Sequence, residues 1–211
     1  SLDRNYTWTI NKTVDTPALS LAIGESTQAN YAVTASSISS DSNWAVQGTI
    51  SVHNPSPIPA TVGSLTDSMT GAIPGTVDCG DAQATYTIAP GETLTCTYTA
   101  SLPDAEERTN TAVATLQNHS FSSTGVATDT GTTDFSGTAP VTFVEASVHE
   151  IDPSVSVTDT LQGALGAVTS GPRTFNYALP VGPYTSCNTY EINNTASFIS
   201  SDSARTGASS A

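Results

Sequence analysis

The chain has 211 residues, with 5 basic against 19 acidic side chains and a formal charge of −14. It offers no basic footprint to neutralise phosphates, which excludes electrostatic binding to nucleic acid, and no polybasic anchor for anionic lipid. Ser and Thr number 63, and only 11% of residues are charged while 37% are hydrophobic, a balance that fits an ordered, hydroxyl-rich protein better than a disordered one.

No apolar run approaches the roughly 18 residues of a membrane-spanning helix. The chain opens at Ser1 without a basic stretch followed by an apolar one, so it reads as a mature or trimmed form. From there, apolar and polar residues alternate with period two, the signature of half-buried strands. Tyr6, Trp8 and Ile10 share one face of a first strand, with Thr7, Thr9 and Asn11 on the other. The single lysine, Lys12, is assigned to the polar side. Leu19, Leu21 and Ile23 predict a second strand before a turn at Gly24-Glu25, and Ala29, Tyr31 and Val33 a third. Trp44, Val46, Gly48, Ile50 and Val52 form a fourth, stopped by Asn54-Pro55-Ser56-Pro57. Further strands are predicted over 60–67, 75–79, 84–88, 93–102 and 110–118, and residues 140–144 open another. The charged cluster Asp104–Arg108 follows Pro103 and reads as a loop or a short 3₁₀ turn. Turn signals recur about every 8–12 residues, the spacing of immunoglobulin-like sandwiches.

Four blocks repeat in the same order. Ser64–Asp67 resembles Ser156–Asp159, and Gly71–Val77 resembles Gly163–Val168. Cys96-Thr97-Tyr98 matches Phe175-Asn176-Tyr177, and Asn110–Val113 matches Asn194–Ser197. Duplication explains this best and predicts an all-β chain of two immunoglobulin-like β-sandwich domains in tandem, 1–144 and 145–211. The positions matching Cys79 and Cys96 in the second copy fall near Ser170 and at Phe175. That copy is also short, with no counterpart of the strands at 5–35, and an incomplete sandwich exposes an edge that must be covered or paired. The strand Tyr6–Val14 is therefore a candidate donor to a neighbouring molecule, with Tyr6, Trp8 and Ile10 as its apolar pegs. The alternative is pairing within its own domain.

Cys79 and Cys96 lie on short strands joined by a turn, close enough for a disulfide and hence for an oxidising compartment. Two buried thiols are the alternative. Cys187 is left over.

Several segments resemble the immunoglobulin-like repeat domains of secreted bacterial cell-surface proteins, namely adhesins and fibre subunits. They are Trp8–Thr13, Trp44-Ala45-Val46 with Ile50–Pro55, Val77–Gly80, Gly91–Tyr98, Asn110-Thr111-Ala112, and Tyr190 with Asn194–Phe198. The resemblance implies secretion, β-sandwich modules and a scaffolding, adhesive or fibre-forming role. Some surface adhesins also cross-link a strand lysine to an asparagine. Lys12 and Asn110 are the candidates here, disfavoured by the polar-side assignment of Lys12.

Catalytic motifs are missing. His53, His119 and His149 are scattered without a nucleophile elbow, and no His/Cys spacing suits a metal. Asp129–Asp134, and Asp78 with Asp81, read as solvated turns rather than calcium loops. No cofactor is expected. N-glycosylation patterns occur at Asn5, Asn11, Asn118 and Asn193, and the runs 36–40 and 120–133 suit O-linked sugars. Tyr86, Tyr184 and Tyr190 are candidates for a sugar-binding face. The sequence thus predicts a non-enzymatic extracellular structural subunit of a bacterial filament, pilus or layer that self-associates by β-strand addition. The alternative is a monomeric adhesin or carbohydrate-binding module with a cell-surface or glycan ligand.

Overall fold

The Thr-, Val- and Tyr-rich alternation becomes fifteen strands in a computed structural model that describes residues 1–80, 83–169 and 171–211. In chain order they are β1 (Leu2–Val14), β2 (Thr27–Ser42), β3 (Ala45–His53), β4 (Ala60–Met69), β5 (Ile73–Asp78), β6 (Tyr86–Ile88), β7 (Thr93–Ser101) and β8 (Arg108–Phe121). Then follow β9 (Ala127–Val141), β10 (Val148–Ile151), β11 (Val155–Asp159), β12 (Gly163–Val168), β13 (Arg173–Val181), β14 (Thr195–Ser200) and β15 (Thr206–Ser210). The described residues form no helix.

Two compact units result, and they are not 1–144 and 145–211. One holds Ser1–Leu2 and Asn43–Val148; the other holds Asp3–Ser42 and His149–Ala211. The second repeat copy does not lack its first strands. It takes them from the other end of the chain, and the first copy is inserted between β2 and β10. We call the two the inserted unit and the split unit.

The split unit is a sandwich of two four-stranded sheets, ordered β10-β1-β2-β13 and β12-β11-β14-β15. Trp8, Val33 and Ala35 from the first sheet meet Val155, Val157, Val168, Ala196 and Phe198 from the second in one buried core, with Tyr6 and Ile10 packed against it. These are the even positions of β1 and the odd positions of β2 and β11, as a two-residue period requires. The period also corrects the placement of Lys12. Counting by twos from Tyr6, Trp8 and Ile10 reaches Lys12, and its side chain is fully buried. The pegs Tyr6, Trp8 and Ile10 are thus engaged within their own chain, where β1 pairs with β2 from Asp3↔Ser42 to Val14↔Tyr31.

The inserted unit is a single seven-stranded curled sheet, ordered β3-β7-β5-β4-β8-β9, with β6 pairing the start of β4. Its core gathers Ile50, Met69, Tyr98, Ala100, Leu102 and Val141, with Trp44 edge-on to Phe143 at 4.8 Å between ring centroids. β3 and β9 are its terminal strands. Cys79 and Cys96 form a disulfide, at the point where β5 leaves its pairing with β7 at Asp78↔Thr97. Cys187 is free and exposed.

Other expectations are corrected as well. Leu19, Leu21 and Ile23 fall in a loop, because Pro17 and the turn at Gly24 leave too little chain for a strand. Residues 120–133, read as a polar run, lie mostly in the β8–β9 hairpin, and Asp129 and Asp134 sit on strand β9 instead of a loop. Residues 140–141 end that strand and open none. The loop expected at 104–108 is found over residues 104–107, held by a 2.6 Å bond from Arg108, the first residue of β8, to Asp104. Asp81 and Ser170 lie outside the described residues.

A 17-residue separation between the bridged cysteines gives a stabilisation of about 3 kcal/mol from the reduced entropy of the unfolded chain. The Cys79→Ser/Cys96→Ser variant is expected to lose about 2–4 kcal/mol in urea unfolding of the inserted unit, and added reductant should bring the wild type to the same midpoint.

Candidate functional site

The most connected polar cluster lies in the core of the split unit. The Lys12 ammonium, carried inward by β1, forms an ion pair with Asp159 at the end of β11, both side chains being fully buried. The Tyr177 hydroxyl donates to the same carboxylate oxygen at 2.7 Å, and the Asn194 amide donates to the Tyr177 oxygen at 3.1 Å. The other Asp159 oxygen accepts the backbone amides of Leu161 and Gln162, both at 3.0 Å. Tyr31 and Tyr177 stack with centroids 5.3 Å apart, and the ammonium lies 5.0 Å from the Tyr31 ring centre, a distance suited to cation–π attraction. Burial by itself raises the Asp159 pKa, but Lys12, Tyr177 and the two amides outweigh it and hold the group below its ordinary value. Burial and the bond to Asp159 push the Tyr177 phenol up. The Lys12 backbone amide donates to the Ser209 hydroxyl of β15 at 3.0 Å, fixing β1 against the opposite sheet.

A second anchor holds the same strand. The Trp8 indole donates to the Asp152 carbonyl at 2.8 Å. Asp152 is buried and adopts a left-handed backbone, with φ 56°. Its carboxylate accepts the amides of Asp202 and Ser203 at 3.0 and 2.8 Å and also bonds the Ser203 hydroxyl. Burial acts to raise its pKa, yet the bonds from Ser203, Ser200 and Asp202 bring it down to about 2.

The inserted unit contains the corresponding acid and amide without the cation. Asp67 on β4 faces Ala112 on β8, as Asp159 on β11 faces Ala196 on β14. Each acid also pairs with a glycine on its other side, Gly75 and Gly163. At position 75 a glycine is obligatory, because a Cβ there would collide with the Asp67 carboxylate. Asn110 occupies the place of Asn194. Asp67 and Asn110 are only 6% and 4% exposed, but neither Asp67 oxygen nor the Asn110 carbonyl has a hydrogen-bond partner among the described residues. Burial raises the Asp67 pKa, and the nearby Asn110 side chain only partly offsets it.

Beside this pair opens an apolar groove of about 970 Å³. Its walls include Ile50 and Val52 of β3, Ala112, Ala114 and Leu116 of β8, and Gly137 of β9. Among the described residues no Asp, Glu, Lys or Arg lines it, although the chain as a whole carries a charge of −14.

The remaining sequence candidates are dispersed. Asn11 and Asn193 are exposed, while Asn5 and Asn118 are half-buried and bonded to Ser42 and Thr133. His53 bonds Thr93, His119 pairs with Asp129, and His149 pairs with Asp3. Among the described residues no group of three His, Cys, Asp or Glu converges as a metal site, and no helix is long and apolar enough to cross a membrane. Tyr184 and Tyr190 stack on each other at 3.9 Å, so each covers a face of its partner. The cross-link candidates Lys12 and Asn110 belong to different units, and the buried asparagine in the unit of Lys12 is Asn194. Asp67, Asp159, Tyr177 and Asn194 went unassigned as site residues. The one signal for them was that the repeat blocks place an Asp and an Asn at matching positions.

No family model, characterised protein or solved structure matches this chain.

Two outcomes follow from the ionic anchors. Lys12→Met leaves Asp159 buried without its cation and should cost about 3–5 kcal/mol in denaturant unfolding of the split unit. Because the Asp152 pKa lies below the ordinary carboxylate value of roughly 3.9, its contribution is complete above about pH 4 and fades as pH falls toward 2. Asp152→Asn, which tolerates the left-handed backbone, should lower stability at pH 7 and reduce the acid-induced loss between pH 4 and 2, measured by thermal melts across that range.

Proposed function

We propose that this protein is an extracellular structural subunit, built from immunoglobulin-like modules, that assembles by β-strand addition into a surface filament or layer. The observation that carries this reading is the open apolar groove beside the free edge of β3 in the inserted unit. Soluble proteins normally cover or charge such edges, and this one presents uncharged walls. A strand entering the groove would gain backbone hydrogen bonds from the β3 edge and apolar burial from β8. The terminal strand β9 adds a second free edge, exposed along its length except at Val141. The disulfide fits an oxidising compartment.

The donor side differs from the sequence expectation. β1 is occupied in its own split unit, so the acceptor in this reading is the inserted unit, and the strand that fills it comes from outside that unit. The alternative of a sugar-binding face draws less support, since the stacked Tyr184 and Tyr190 do not form an open platform.

Size-exclusion chromatography with light scattering and negative-stain microscopy test the reading on concentrated protein. Head-to-tail multimers or filaments are expected, and Val52→Lys, which charges the groove wall, should abolish them while leaving the far-ultraviolet spectrum unchanged. A wild type that stays monomeric at every concentration overturns it.

A further inference from the structure

The two units are copies of one design, and one of them shows what completes it. In the split unit β2 pairs with β13 on one side (Val33↔Phe175) and with β1 on the other (Lys12↔Val33). In the inserted unit β3 pairs with β7 in the same way (Ile50↔Cys96), and the repeat equates Cys96 with Phe175 and Tyr98 with Tyr177. The other side of β3 is the end of the sheet. The inserted unit therefore lacks the counterpart of β1. Three independent features mark its place. Past Ala45, which exchanges two backbone bonds with Ser1, no strand among the described residues pairs with the outer edge of β3. The groove beside it is walled by residues equivalent to those that meet β1, including Gly137, which matches Ser209, the acceptor of the Lys12 amide. The acid that Lys12 neutralises in the split unit is present as Asp67, buried and unpartnered. Tyr98 lies over Gly48, its cross-strand partner, as Tyr177 lies over Tyr31, but it makes no bond to Asp67 like that from Tyr177 to Asp159.

We infer that the groove of the inserted unit accepts an extended strand of the β1 pattern, with apolar residues at alternate positions followed by a lysine that pairs with Asp67. This rests on the strand-addition reading and specifies its partner. Carrying over the split-unit register sets the strand antiparallel to β3. The lysine lies opposite Ile50, and the residues two and four before it lie opposite Val52 and Asn54. The selectivity comes from desolvation. Asp67 is already buried without a partner, so a strand with an apolar residue in place of the lysine fills the groove and leaves that cost standing, whereas the ammonium turns the carboxylate into half of an ion pair. The groove walls supply affinity, and Asp67 reads the identity of one residue.

The test uses the full chain and a synthetic peptide of residues 2–14, with binding measured by calorimetry and located by hydrogen exchange. The peptide should bind and slow exchange of the amides in 48–53, which the carried-over register places opposite residues 9–14, without changing exchange in 155–159. A peptide carrying Lys12→Met should bind weaker by about tenfold or more, and Asp67→Asn in the protein should shrink that difference. Equal affinity of the two peptides for the wild type overturns the lysine readout and leaves strand addition standing. If neither peptide protects 48–53, both the inference and the strand-addition reading fall.

Discussion

An ammonium and a carboxylate buried together in an apolar core organise this molecule. Lys12 and Asp159 are 147 positions apart, and neither tolerates burial alone. Their pairing ties the first strand of the chain to the sheet formed near its end. Around them, Tyr177 and Asn194 extend the bonding and Tyr31 gives the ammonium an aromatic face. Such a pair is weak evidence for high net stability, since hydrophobic replacements often do as well. Its strength is selectivity, because a β1 shifted by one residue would turn Lys12 to solvent and leave Asp159 orphaned. In this chain the pair selects both register and partner.

The insertion follows from the same constraint. Because β1 and β2 belong with strands 106 and more residues later, the intervening chain folds as a unit of its own, bounded by Asn43 and Val148. That unit keeps the acid, the amide and the apolar sheet face of its sister but has no first strand.

Much of the fold was legible locally. The alternation of Tyr6, Trp8 and Ile10, of Ala29, Tyr31 and Val33, and of Cys96, Tyr98 and Ala100 marks inner faces correctly, because side-chain direction in a strand alternates regardless of tertiary context. Cys79 and Cys96 were legible for the same reason, being placed on strands that a short excursion returns to each other. β9 was not legible. Its Thr, Gly and Asp residues resemble a loop because none of its side chains before Val141 is buried, so the apolar half of the alternation is missing. Leu19, Leu21 and Ile23 misled in the opposite sense, since apolar spacing alone cannot supply a pairing partner. Asp67, Asp159 and Asn194 were invisible as a site because one acid or amide among many polar residues carries no local mark of burial.

By itself the sequence determined that the chain is all-β, which residues of most strands face inward, where a disulfide forms, and that four blocks recur in the same order. All of these depend on short-range periodicity or on direct likeness between segments. Only the tertiary structure decided that β1 and β2 complete the second copy, that Lys12 faces Asp159, and that the first copy keeps an open edge and an unpartnered acid. Those outcomes depend on pairing between strands far apart in the chain, where many registers satisfy the two-residue period equally well. Choosing among them takes the burial of a few specific polar groups, and their cost or gain exists only once the sheets have met.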